Sequence, residues 1–99
     1  PPQAFFAMPP PVVPADALAA YAGAYLAGEG DTLRVRVDGD RLVLRGSRDP
    51  RELPAVPQSD TMFWIRGLKS MVKFERDAAG EVGRLILLNS VHQIPMPRL

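Results

Sequence analysis

The tetrad Ser70-Met71-Val72-Lys73 has the S-x-x-K spacing in which a lysine amine sits beside a nucleophilic serine hydroxyl. That chemistry requires both side chains on one face. A helix arranges it by placing residues i and i+3 together, whereas a strand sends them to opposite faces. Here Val72 and Phe74 alternate with Lys73 and Glu75, the period of a strand. The companion S-D-N and K-T-G motifs are absent, and Gln58-Ser59-Asp60-Thr61 reads as a turn. The tetrad is therefore read as strand, and no catalytic residue is assigned.

His92 is the only histidine, beside Gln93 at the start of a final apolar segment. A general base would need Ser90 or Asp60 as its partner and a third group to orient the ring. Nothing in the sequence supplies that group, so His92 is read as a surface or barrel-rim residue. With one His, no Cys and scattered carboxylates, no metal site and no cofactor is expected. The lack of Cys also excludes disulfides and thiol nucleophiles. Arg34, Arg36, Arg41, Arg45, Arg48 and Arg51 are interleaved with Asp31, Asp38, Asp40, Asp49 and Glu52. Docking of an acidic partner is one reading of this group. The preferred one is a solvated outer face with cross-strand ion pairs. A net charge of +1 gives no footprint for nucleic acid. No run approaches the roughly 20 apolar residues of a membrane span.

The elements that carry these residues follow from turn chemistry and alternation. At 99 residues there is room for one domain. Residues 1–14 are proline-rich and read as a stiff linker or, given Phe5, Phe6, Met8, Val12 and Val13, as a docking arm. Residues 15–99 form the domain proper. The chain opens at Pro1 without an initiator Met, which suggests a processed form or an excised piece with any export signal upstream. Ala15 to Ala22 is a short helix candidate, preceded by Pro14, with Asp16 near its N-terminus and Gly23 as its stop. Leu33, Val35 and Val37 then alternate with charged residues, and Asp38-Gly39 turns the chain into a return strand over Arg41–Arg45. Pro50, Pro54 and Pro57 make the next stretch irregular, with at most a short edge strand around Arg51–Ala55. Strands follow at Thr61–Ile65, Ser70–Arg76, Val82–Leu88 and Val91–Met96, and Asp77-Ala78-Ala79-Gly80 is a hairpin loop ending in a Gly suited to the left-handed region. With Ala24–Ala27 counted first, about eight short strands are joined by links too short for helical crossovers. The sheet must then be antiparallel. The fold class is all-β: an up-and-down barrel, closed to remove its edges, with one short N-terminal helix.

Two residue sets follow from the alternation. Leu33, Val35, Leu42, Leu44, Phe63, Val72, Phe74 and Leu85 are assigned to the interior, where they either fill the lumen or line a ligand. The later strands are apolar on both faces, and a barrel hides only one. Met62, Trp64, Ile86 and Leu88 are placed outside, and Phe5, Phe6 and Met8 of the arm are the nearest residues in sequence to cover them. These seven form the expected interface.

The order of residues also resembles a known family. Leu18-Ala-Ala-Tyr21-Ala-Gly23-Ala-Tyr25 is similar to the L-x-x-Y-x-G-x-Y opening of a lipocalin-like accessory domain. That domain follows the catalytic domain in many bacterial serine hydrolases of the β-lactamase and penicillin-binding-protein class. Leu33-Arg-Val-Arg-Val37, Asp38-Gly39-Asp40-Arg41-Leu42, Leu53-Pro54, Met62-Phe63-Trp64 and Val72-Lys-Phe74-Glu-Arg-Asp77-Ala-Ala-Gly80-Glu-Val82 run in step with it. The resemblance spans residues 15–99 and rests on turn and strand signatures. It implies an eight-stranded lipocalin-like barrel, packing on the upstream catalytic domain or on another copy, and a small apolar ligand as the alternative role. It implies a periplasmic or extracellular setting, and it carries no catalytic residues. A non-catalytic accessory domain is thus expected, with Ser70 and Lys73 outside any chemistry. Ser70→Ala and Lys73→Ala should each leave a parent protein's activity nearly intact. Turnover of the folded variants falling as far as on loss of a nucleophile would restore the catalytic reading.

Overall fold

Period-two alternation governs the chain from Gly23 onward, and in the computed structural model, which describes residues 12–99, it becomes eight strands. These are β1 (Gly23–Leu26), β2 (Thr32–Asp38), β3 (Arg41–Gly46), β4 (Leu53–Pro57), β5 (Met62–Ile65), β6 (Ser70–Arg76), β7 (Val82–Leu88) and β8 (Gln93–Pro97). They lie in one sheet in sequence order, and every neighbouring pair is antiparallel. The meander curls until its ends meet: Tyr25 bridges Arg98, and the Leu99 N–H donates to the Ala24 carbonyl at 2.9 Å. The result is a nearly closed barrel. Gly80 takes φ +82° in the β6–β7 turn, the left-handed value expected there.

One expectation is corrected by the structure. The proline-rich stretch is not an irregular edge: β4 sits between β3 and β5 and pairs with both. Proline is tolerated because each missing donor falls where a ladder has ended. Pro54 turns its backbone toward β5, where its carbonyl accepts from Arg66, one residue past the end of that strand. Pro57 is three residues on and faces the other way, past the end of β3 at the hairpin. The same device blunts the seam between β8 and β1. Arg98 N–H points to β7 (Gly83 carbonyl) and Leu99 N–H to β1, so Pro95 and Pro97 share the seam side and offer it no donor.

The helix α1 (Ala15–Tyr21) runs under one end of the barrel. Pro14 occupies its N-cap position without a side-chain cap, and Asp16 lies in the first turn, where a carboxylate suits the helix dipole. Leu18 and Tyr21 are its buried residues. Tyr21 stacks on Phe74 at 4.2 Å between ring centres and meets Phe63 edge-on at 5.8 Å, while Tyr25 leans on Phe74 at 6.0 Å. Each hydroxyl is satisfied: Tyr21 donates to the Asp60 carbonyl in the β4–β5 turn, and Tyr25 donates to the Tyr21 carbonyl at 2.8 Å. Leu18, Tyr21, Gly23 and Tyr25 of the family-like opening thus build a plug. Val13 is buried against the same end, at the edge of residues 1–14.

Arg98 locks this end. Its guanidinium donates to the carbonyls of Ala20 (3.0 Å), Ala22 (2.6 Å) and Val82 (3.2 Å), and it lies 5.8 Å from the centre of the Tyr25 ring. One side chain therefore joins the helix C-terminus, β7 and the barrel closure. Gly23 makes room for it: a Cβ there would stand 3.1 Å from an Arg98 nitrogen, at a φ of +151°.

Two outcomes follow. Arg98→Ala should lower stability by about 2–3 kcal/mol in urea denaturation, because charged hydrogen bonds to three carbonyls are lost. The second concerns alkali. Burial pushes the Tyr21 and Tyr25 phenols above their ordinary value near 10, chiefly by desolvating the phenolate. A raised folded-state pKa means the stabilisation is complete below about pH 10 and is lost as pH climbs through the folded values. These are the only two tyrosines, so phenolate absorbance reports them directly. It should rise together with loss of β-sheet circular dichroism; free titration near pH 10 in a folded barrel would contradict the plug.

Candidate functional site

Register divides the strands into an inner and an outer surface. Phe63 and Ile65 turn inward and Met62 and Trp64 outward, as the alternation predicts. Val35, Leu42, Leu44, Phe63, Val72, Phe74 and Leu85 are all buried, and Leu33 is half-buried against them. Six of these, Val35, Leu42, Phe63, Val72, Phe74 and Leu85, fill the lumen together with Leu18, Tyr21 and Tyr25. Leu33 and Leu44 reach a cavity of about 280 Å³ at the opposite, open end.

That mouth is framed by the β1–β2, β3–β4 and β5–β6 links and by β7 and β8. Its walls include Leu53, Ile65, Leu68, Leu87 and Met96, which sequence reasoning left outside the lining set. Leu87 was legible, since it is two residues from Leu85 and shares its face. Leu53 was obscured by Pro54. The rim carries two ion pairs, Arg48–Asp31 at 2.7 Å and Arg51–Asp49 at 2.8 Å. Hydrogen bonds from the Arg51 side chain and backbone hold the Asp49 carboxyl down at about 2.

The outer surface is two-sided. On β2 and β3 it is charged, with Arg36 gripping Glu52 through two hydrogen bonds and holding that carboxyl below its usual range. Arg34 and Arg45 lie directly opposite each other. On β4 to β7 it is largely apolar, with Lys73, Glu75 and Arg84 as its charged residues. Val56 pairs with Trp64, Trp64 with Met71, and Met71 with Leu88, so one unbroken row crosses four strands. A second row runs Met62, Lys73, Ile86 and Pro95. Trp64 is 38% exposed, while Val56, Met62, Met71, Ile86 and Leu88 are half-buried. Val56 and Met71 complete what Met62, Trp64, Ile86 and Leu88 began. Phe5, Phe6 and Met8 lie outside the described residues.

The residues with catalytic spacing do not converge. Ser70 is buried on the inner face and donates to the Leu68 carbonyl at 3.1 Å, whereas Lys73 points outward, 3.9 Å from Glu75. His92 is exposed in the β7–β8 link, where its backbone N–H donates to the Asn89 side chain at 2.8 Å. Among the described residues no group of three or more His, Cys, Asp or Glu is placed to hold a metal ion. Among the same residues no helix is long and apolar enough to cross a membrane.

No curated protein matches the chain. A family model described as a domain of unknown function (DUF3471) matches residues 7–95, which takes in part of the proline-rich arm, the helix and the barrel as far as Pro95 in β8. With the match covering nearly the whole chain, this small antiparallel barrel belongs to the DUF3471 family.

Proposed function

We propose that this domain is a non-catalytic docking module of a larger bacterial protein, acting through the outer face of β4 to β7. The observation that carries the reading is the Val56–Trp64–Met71–Leu88 row. A soluble surface seldom places four large apolar side chains in register across four strands, and α1 packs under the barrel, away from them. Trp and Met are side chains enriched at the centres of interfaces. The partner is the catalytic domain of the same protein or a second copy of this one. The resemblance to accessory domains of exported serine hydrolases makes the former the first to test. Separation of Ser70 from Lys73 supports a role without chemistry of its own.

A central Trp anchor contributes about 2 kcal/mol or more to association. Trp64→Ala should therefore weaken self-association, or binding of the separately expressed upstream domain, by about tenfold or more, with circular dichroism unchanged. Sedimentation velocity reads the first and titration calorimetry the second. A chain that is monomeric and that also fails to bind the upstream domain would overturn the proposal, as would unchanged affinity in the variant.

A further inference from the structure

We infer that Arg34 and Arg45, side by side on the outer face of β2 and β3, form a binding site for a soluble phosphate monoester. The two are register partners, so their Cβ atoms rise about 4.5–5.5 Å apart on one face. Like charges placed this way repel, and both residues are exposed. Among the described residues neither forms an ion pair; the carboxylates of Asp31, Asp49, Glu52 and Glu75 are taken by Arg48, Arg51, Arg36, Lys73 and Arg84. Residues 1–11 contain no Asp or Glu to supply one. Glu52 and Asp49 feel the charge of Arg45, yet both oxygens of each are already bonded, to Arg36 and to Arg51.

The surroundings of the pair select the ligand. On one side lies a depression lined by Thr32, Arg34, Arg45, Gly46 and Ser47, without a carboxylate. The Ser47 hydroxyl oxygen accepts the Thr32 N–H at 3.1 Å, which leaves its own proton to donate. Gly46 keeps the floor open, since even a Cβ there would meet nothing within 4 Å. On the other side the pair borders Arg36 and Glu52, and the Glu52 carboxylate turns an anion toward the hydroxyls. Two guanidinium forks and a hydroxyl call for three acceptor oxygens. A carboxylate has two, which a single fork fills. A phosphate monoester has three and carries about −1.5 to −2 charges near neutral pH, which matches two arginines. A membrane head group is the poorer source, because the flanking Arg36 and Arg48 are tied to Glu52 and Asp31 and add no broad basic surface. The site lies on β2 and β3, apart from the docking face on β4 to β7.

The test is nitrogen–proton NMR of the folded chain, following backbone amides and arginine Nε–H groups during titration with glycerol phosphate and, separately, acetate. Ionic strength is held constant, because salt screens exposed charges. Glycerol phosphate should give saturable shifts centred on Arg34, Arg45 and Ser47, and acetate should bind about tenfold more weakly or worse. Arg34→Gln and, independently, Arg45→Gln should each lower the affinity by about tenfold or more. Arg76→Gln removes the same charge near Tyr21, at the plugged end, and should leave binding unchanged. Trp64→Ala should also leave it unchanged, which separates this site from the docking reading. Four results would overturn the inference: no saturable shift with glycerol phosphate, acetate binding as tightly, undiminished affinity in both folded arginine variants, or retention on phosphatidate-containing vesicles by a chain that does not bind glycerol phosphate.

Discussion

Tyr21 lying flat on Phe74 is the contact on which the rest of the molecule depends. A barrel this small must be stoppered, because eight short strands leave a lumen that either fills with side chains or admits water. The helix performs this by turning one face into the base, and stacked and edge-on aromatic pairs add about 0.5–1.5 kcal/mol each beyond area burial. Using tyrosine there brings hydroxyls into an apolar end. The fold tolerates them because Asp60 and Tyr21 itself present carbonyls at the right places.

The stopper also sets the order of closure. α1 delivers Gly23 to the start of β1, where a side chain would crowd the guanidinium of Arg98 at about 3.1 Å. Arg98 then holds the last turn of the helix, β7 and the final bridge in one set of hydrogen bonds. The two ends of the sheet meet here and diverge above. The seam above this point escapes the hazard of a free strand edge because prolines occupy the donor positions.

One consequence is a division of labour between the two ends and the two surfaces. Large side chains at the plugged end leave the mouth to smaller aliphatic ones, so space remains where the loops are. Outside, charged residues on β2 and β3 give way to a largely apolar field on β4 to β7. The same alternation that fills the interior therefore leaves Trp64 facing away from it.

The sequence by itself determined the strands, their antiparallel order and the inward or outward direction of most side chains. Period two is a local property, and Leu33–Val35–Val37 or Ser70–Val72–Phe74 display it without reference to the rest of the chain. It also determined that Ser70 and Lys73 could not meet, since three residues along a strand reverse the face. Tertiary structure decided what depends on which strand ends where. Pro54 and Pro57 read as a break, yet they sit in a central strand because β5 and β3 stop short of their missing donors. Arg98 carries no mark in sequence that sets it apart from nine other arginines, because its three carbonyl partners come from segments up to 78 residues away. The Val56–Trp64–Met71–Leu88 row and the cavity at the mouth are likewise products of register between strands, a quantity fixed by pairing and closure rather than by any one strand's pattern.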